Sequence, residues 1–555
     1  MADYQLVLLE VGGIQEYVFG SNELVQNIGA SELVFHATTS WMFETLDVLN
    51  LTHNAPNTNG AYTIDPALGQ YAIGDASILQ NDLDAEIIYT GGGKALVMFR
   101  NSNHARPFVE KLTRRALQEA PGLALVVASA SVDWGTEYAL RDALDALNKK
   151  LNERKHNRAF STPLPGLGVT APCAFTGLPA VGDDWYAKQN GEPQRLVSEI
   201  VDAKIRAFKK YQDTRLQAIL SAENKNRYVE LNLKDFVYDF DLFGSHGTSS
   251  YLAVIHTDGN GMGTRFKNLG ARYPNNQDHA RALRGLSQTV SSAATTALNK
   301  TINLLLKSYD GEKFGGTVPI PVNKRKERQL PFRPIVFGGD DVTFVCEGRL
   351  GLTLARAYLN AYAQHELTDG ELATARGGVA VVHTHFPFAR AYELSDALCR
   401  SAKRYIRDHA TEKLTALDWH FAVSGAVREL DEIRKREYTV DAGKLYLRPY
   451  RLTLEGNDAL HEWRTFEKIA QDFSTRRDNG KSWSESRNKR RALRDALRAG
   501  ADATRQFLAL NELELLKLEA EGLGSIHESG WQGGQCGYYD ALEALDFYVP
   551  VEKGA

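Results

Sequence analysis

The chain is short of the residues that staple or anchor proteins. Only four cysteines (Cys173, Cys346, Cys399, Cys536) occur in 555 residues, widely separated and without a Cys-x-x-Cys pair. That excludes a disulfide framework and a self-contained zinc cage. No apolar run reaches the roughly eighteen residues of a membrane-spanning helix, and no basic leader precedes the strand-like segment Tyr4 to Leu9. Neither sign of charge dominates: the formal net charge is −4, which excludes a global bias toward nucleic acid or membrane and leaves any such binding local. The expectation is a protein of the reducing cytoplasm without membrane attachment, divided by its length into about three or four domains.

What is present is an acidic hairpin. Gly338-Gly339-Asp340-Asp341 lies between the apolar runs Pro334 to Phe337 and Val342 to Cys346, a pattern that places two carboxylates at a hairpin tip. Turns favour glycine and aspartate anyway, so the run alone says little. It gains force from Tyr251 to Thr257, an apolar strand ending in Asp258-Gly259-Asn260-Gly261-Met262-Gly263. Two strand ends then bring three carboxylates together.

The chain also repeats itself. Glu10-Val11-Gly12-Gly13 ends a strand as Asp258 to Gly261 does, and Gly91 of Gly91-Gly92-Gly93-Lys94 follows Glu10 by 81 residues where Gly338 follows Asp258 by 80. Each hairpin precedes a helical stretch, a strand and a helix with Tyr-x-x-x-Asp-Ala-Leu, at Tyr138 to Leu144 and Tyr392 to Leu398. Both halves read as a ferredoxin-like palm, an antiparallel sheet with helices on one face. The first copy has Glu10, Gly93 and Lys94 where the second has Asp258, Asp340 and Asp341, so only the second is expected to be catalytic.

The rest is less informative. Ser161 to Gly168 is rich in proline and glycine and marks a boundary. A mixed stretch from Val197 to Leu220 carries Lys204, Arg206, Lys209, Lys210 and Arg215, read as a solvated helix face. Asn323 to Arg328 is basic and precedes the acidic hairpin, which suits cations near a polyphosphate or simply an exposed loop. Beyond about Gly456 the pattern is helical, with Leu508, Leu510, Leu513, Leu515, Leu516 and Leu518 as buried positions. Arg476, Arg477, Lys481, Arg487, Lys489, Arg490, Arg491, Arg494 and Arg498 surround Trp483 there, a composition that suits RNA, an acidic partner or plain solvation.

Carboxylates at adjacent strand ends suit Mg²⁺ or Mn²⁺, which take oxygen ligands and share them with substrate phosphates. Two such metals, about 4 Å apart, activate a ribose hydroxyl and stabilise a pyrophosphate leaving group. Asp258, Asp340 and Asp341 are the candidate catalytic and metal-binding residues. Gly259, Asn260, Gly261, Gly338, Gly339, Lys403 and Lys94 are candidates for nucleotide binding. His256 reads as a strand residue, and His383 and His385 receive no metal.

These residues, with the strand Gly377 to Val382, the Ser401-Ala402-Lys403 helix, Gly13 to Phe19 and Gly29-Ala30-Ser31, resemble the large polymerase-like subunit of type III CRISPR effector complexes, the Cas ten family. The resemblance implies an α+β protein with two palms forming one nucleotide cleft: residues 1–155 a degenerate first palm, 156–245 a linker domain, 246–432 the palm with Gly-Gly-Asp-Asp, and 433–555 a mainly helical domain. It also implies synthesis of cyclic oligoadenylate from ATP or a related nucleoside triphosphate in antiviral defence. RNA, CRISPR-type subunits or a second copy are the implied partners. Three departures accompany it. None of the fourteen histidines is followed by aspartate, so the nuclease domain of many relatives is expected to be missing. Pro172 to Ala180 matches a zinc-binding region but keeps one cysteine, and Asn260 stands where relatives often carry a second aspartate. A non-catalytic scaffold and a nucleotide sensor are the competing readings.

Overall fold

The computed structural model describes residues 3–157, 168–243, 250–409, 413–422, 429–453, 459–475, 482–518 and 525–551. Within them the duplication is one of topology. Asp3–Gly12 (β1), Ala85–Gly91 (β2), Lys94–Phe99 (β3) and Ala124–Asp133 (β4) form a sheet in the order β2-β3-β1-β4. Tyr251–Gly259 (β5), Phe332–Val336 (β6), Val342–Glu347 (β7) and Ala375–His383 (β8) repeat it as β6-β7-β5-β8, and Ala416–Ala422 (β9) and Tyr450–Arg451 (β10) extend the edge. The α+β class and the two palms are borne out.

One detail differs from the expectation of helices on a single face. Along β1, Leu6 and Leu8 enter one core while Val7 and Leu9 enter another, and along β5 Ala253 and Ile255 separate from Leu252 and Val254 in the same way. Both faces are therefore buried, which is why these strands read as continuous apolar runs rather than as alternating ones. Each core is shared by the two palms.

Helices make the connection. Leu24–Ala37 (α1) and Ala139–His156 (α2) belong to the first palm; Glu199–Tyr211 (α3) and Thr214–Ile219 (α4) follow it. Met262–Arg272 (α5), Asn276–Lys307 (α6) and Phe388–Asp408 (α7) belong to the second. α3 lies close against α1 because Gly29 has no side chain: a Cβ there would stand 1.9 Å from the Lys204 carbonyl oxygen. α6 crosses to the first sheet, where buried Arg284 pairs with buried Glu86 at 2.8 Å.

The mainly helical C-terminal part, whose helices include Arg487–Ala499 (α8) and Ala501–Asn511 (α9), also carries a small four-stranded sheet of two-residue strands. Three sequence expectations need correction here. Lys204 and Arg215 are buried, not solvated: the Lys204 ammonium donates to the Tyr17 carbonyl at 2.7 Å and faces the Tyr17 ring. Leu510 is 85% exposed, since two residues along a helix from buried Leu508 is nearly its opposite side. Trp483 is no stacking platform: it is fully buried, and its indole N–H donates to the Glu514 carbonyl. Ser161 to Leu167, Arg476, Arg477 and Lys481 lie outside the described residues. Among the described residues no helix is long and apolar enough to cross a membrane.

Candidate functional site

A backbone hydrogen bond aligns the two copies. Val11 N–H donates to the Gly93 carbonyl at 2.9 Å, and Gly259 N–H donates to the Asp340 carbonyl at 3.1 Å. Glu10 then matches Asp258, and Lys94 matches Asp341. Gly13 and Gly261 match as well: each caps the following helix with a φ of 65° or 66°, a left-handed conformation that suits glycine.

One charge in this row changes sign between the copies. Glu10 stands opposite Lys94 in the strand register, and its carboxylate pairs with Lys94 at 3.2 Å and with Lys155 at 2.7 Å. In the second palm the register that pairs Thr257 with Val342 puts Asp258 opposite Asp341, two like charges where sheets ordinarily place opposite ones. Arg376, opposite Asp258 on the other side, ion-pairs with it and donates to the Gly259 carbonyl and to Asn260 Oδ1, both at 3.0 Å. His256 is buried between Asp341 (3.3 Å) and Asp396 (3.8 Å).

The electrostatics follow. Burial raises the Asp258 carboxyl in spite of Arg376, with Asp341 adding to the rise. Asp340 is pushed up to about 7 by burial and by the charges of Asp258 and Asp341. Burial works against a charged His256, yet Asp341, Asp396 and Asp258 together hold it above its ordinary value. The three carboxylates sense one another, and the protein's own cations leave Asp340 under-compensated.

Asp340 and Asp341, in the turn just before β7, face different sides. Asp340 lines a cavity of about 640 Å³ between the palms, with Glu10, Lys94, Lys155, Ser291 and Gly339. Asp341 lines a smaller one beside Arg215, Gly93 and Gly338. The hairpin tips approach each other with room for a methyl group between them: a Cβ on Gly339 would lie 3.7 Å from Gly92. Gly338 has φ +93°, and a Cβ there would stand 2.3 Å from Arg215 Nη2. The N–H groups of Gly259 and Asn260 are taken by the carbonyls of Asp340 and Thr374, and the Asn260 amide donates to Leu414 O at 2.8 Å. Lys403 is exposed on α7, and its charge reaches Asp258. The basic loop from Asn323 to Arg328 is at the far end of β6 and lines another cavity, where Lys324 pairs with Glu192 at 3.3 Å.

Sequence reasoning missed Arg376, His256 and Arg215. His256 precedes Asp258 by two residues, so period two already put both on one face. Arg376 begins the strand of Gly377 and Gly378, and only the sheet register reveals its place. Nothing local flagged Arg215. It reaches from α4 to donate through Nε to the Gly69 carbonyl at 2.9 Å and through Nη2 to the Phe337 carbonyl, between the rings of Phe35 and Phe337.

Among the described residues no group of three or more His, Cys, Asp or Glu side chains converges as a ready-made metal cage. The oxygen donors present nevertheless fit a hard divalent cation that brings phosphates as its remaining ligands, and the elevated Asp340 is what an unbalanced carboxylate cluster produces.

Two palms set tip to tip around a cavity of mixed charge define a tandem-palm protein of the nucleotidyl cyclase and polymerase type. Residues 251–411 match the family model for Cas10/Cmr2, second palm domain. The chain is similar to an apo Csm1–Csm4 cassette, at 16% identity and TM-score 0.53 over 99% of this chain and 70% of that one. It is also similar to a Csm1–Csm4 cassette in complex with cA3, at 14% identity and TM-score 0.50 over 99% and 70%. Csm1 in T. onnurineus aligns at 16% identity and TM-score 0.48 over 98% and 70%. No curated protein matches the chain. Residues 251–411 are thus a second palm domain of the Cas10/Cmr2 family, as the motifs around Asp258 and Gly338 led one to expect, and the fold surrounding them is that of Csm1.

Proposed function

We propose that this protein is a divalent-metal-dependent nucleotidyltransferase that joins ATP, or a related nucleoside triphosphate, into a cyclic oligonucleotide signal for CRISPR-type antiviral defence. The observation that carries the reading is Asp340, pushed up to about 7 beside Asp258 and Asp341 and facing a cavity whose other wall holds Lys94 and Lys155. That combination supports a reading in which carboxylates would meet cations on one side of a triphosphate and ammonium groups its phosphates on the other. A structure of the same fold was solved with cA3, which supports the product class.

Asp258 and Asp340 would hold the metal ions, and Asp341, on the other side of the hairpin, adds its charge from behind. When bound, the ions would polarise a ribose hydroxyl and screen the departing pyrophosphate. The chain's own residues do the positioning. Lys94 and Lys155 neutralise phosphate charge, Ser291 fixes the Gly338 carbonyl through a 3.2 Å hydrogen bond, and Arg376 keeps Asp258 oriented. Gly261, Gly338 and Gly339 keep side chains out of the phosphate path. Gly259 and Asn260 act through shape, because their amides are already bonded. Lys403 is the candidate clamp on the Asp258 side.

Incubating the purified protein with each α-labelled nucleoside triphosphate and Mg²⁺ or Mn²⁺, with and without RNA, tests this. Labelled oligonucleotide and pyrophosphate are expected, abolished by Asp340→Asn. Arg376, which already answers the charge of Asp258, favours a second reading as a nucleotide sensor; binding without pyrophosphate under every condition selects it.

A further inference from the structure

The cavity between the palms has a direction. From Met262, beside Asp340, α5 presents Gly263, Phe266, Lys267 and Gly270 to it, a single helix face some 12 Å long at 1.5 Å per residue. α6 runs back along the opposite wall, from His279 through Leu283 and Ser287 to Ser291, where the Ser291 hydroxyl holds the acidic hairpin. α2 lies alongside. Its Lys155 is bound to Glu10 at the acidic end, and its Arg141 is at the other, where a Cβ on Gly270 would meet Arg141 Cγ at 2.8 Å and His279 Cε1 at 3.3 Å.

The two ends differ in chemistry. Asp340, Glu10, Lys94, Lys155 and Ser291 make one end ionic. Toward the other the walls become apolar and aromatic: Tyr89 from the first palm and Phe266 from the second stand with ring centroids 6.3 Å apart, close to Leu144 and Leu283. His279 belongs to this end. It is only 2% exposed, and neither ring nitrogen has a hydrogen-bond partner. Burial, with Arg141 nearby, pushes it down to about 4, so the ring is neutral and offers one N–H and one lone pair. A buried imidazole with both nitrogens idle is rare, since buried polar groups are nearly always paired.

We infer that this cavity is a trough of nucleotide length in which the phosphates lie at the Asp340 end and the nucleobase packs against the aromatic pair Tyr89 and Phe266, with a ring nitrogen of His279 hydrogen-bonded to the base edge as the residue that determines base specificity. The inference deepens the proposed function and rests on it for the identity of the ligand. Phe266 and Tyr89 supply stacking area that is indifferent to the base, while a single donor or acceptor at a fixed place discriminates between edges.

The test is equilibrium binding of non-hydrolysable analogues of all four nucleoside triphosphates, and of inorganic triphosphate as a probe of the ionic end alone, to the full chain. Wild type is expected to prefer one base. His279→Leu is expected to weaken the preferred analogue about fivefold, to bring the four affinities together, and to leave inorganic triphosphate unchanged. Phe266→Ala is expected to weaken all four alike. If His279→Leu fails to fold, His279→Gln, which keeps a donor and an acceptor at a different reach, is expected to change the order of preference. A variant that folds and retains the wild-type preference overturns the role of His279 and leaves the enzyme reading intact. A wild-type chain that binds neither the analogues nor triphosphate overturns both.

Discussion

Replacing Arg215 with methionine separates what this residue does for the fold from what it does for the acidic hairpin. Its guanidinium is buried without a carboxylate partner, and burial pushes it down to about 10, so keeping it charged in the core costs roughly 3 kcal/mol. Against that stand two charge-assisted hydrogen bonds, to the Gly69 and Phe337 carbonyls, each about 1.5–3 kcal/mol. Faces of Phe35 and Phe337 at 3.9 and 4.1 Å add about 1–2 kcal/mol. The balance left to lose is about 1–5 kcal/mol, and both carbonyls are stranded. Since Phe337 immediately precedes Gly338, the loss falls on the strand that aims Asp340. Urea unfolding followed by tryptophan fluorescence, with nucleotide turnover on the same samples, should show Arg215→Met less stable by about that amount and slower by about tenfold or more at 25 °C. Arg215→Lys should restore little, because an ammonium lacks the fork that spans two carbonyls. A methionine variant with wild-type stability and turnover would refute the reasoning.

Other expectations are smaller in scope. Gly338→Ala combines a left-handed φ with a Cβ 2.3 Å from Arg215 Nη2 and should cost about 1–3 kcal/mol, read by thermal denaturation. Lys94→Glu sets a carboxylate beside Glu10 at the ionic end and should weaken triphosphate binding about tenfold by calorimetry, leaving the melting temperature within a few degrees. Burial, with Arg448 and Arg434 nearby, pushes His420 down to about 3, below its ordinary 6.5. Between these values the unfolded chain takes up a proton that the fold refuses, so stability is unaffected above pH 6.5 and falls as the pH drops. His420→Gln should remove about 3 kcal/mol of the loss between pH 6.5 and 4; identical pH slopes for variant and wild type would rule this out.

The duplication was legible because its elements are local: each strand ends in glycine and each hairpin keeps its spacing from the first strand. Asp258, Asp340 and Lys94 could be found because they mark strand ends. What escaped depends on contacts between distant segments. Arg376 gains its role from lying opposite Asp258 across a strand pair, and Lys204 and Arg215 looked solvated because helical charge patterns do not tell a water-facing side from one buried under another domain. Trp483 failed for the same reason, a tryptophan among arginines that faces inward. Asp340 and Asp341 sit in the turn between two strands, where the sequence pattern brings both carboxylates to the tip and does not show that they face different cavities.

The sharing of both cores by the two palms has a thermodynamic consequence. Leu6 and Leu8 of the first palm belong to the same core as Ala253 and Ile255 of the second, and Val7 and Leu9 to the same core as Leu252 and Val254. Neither sheet can expose a face to water without opening the core of the other, so the two palms melt as one cooperative unit.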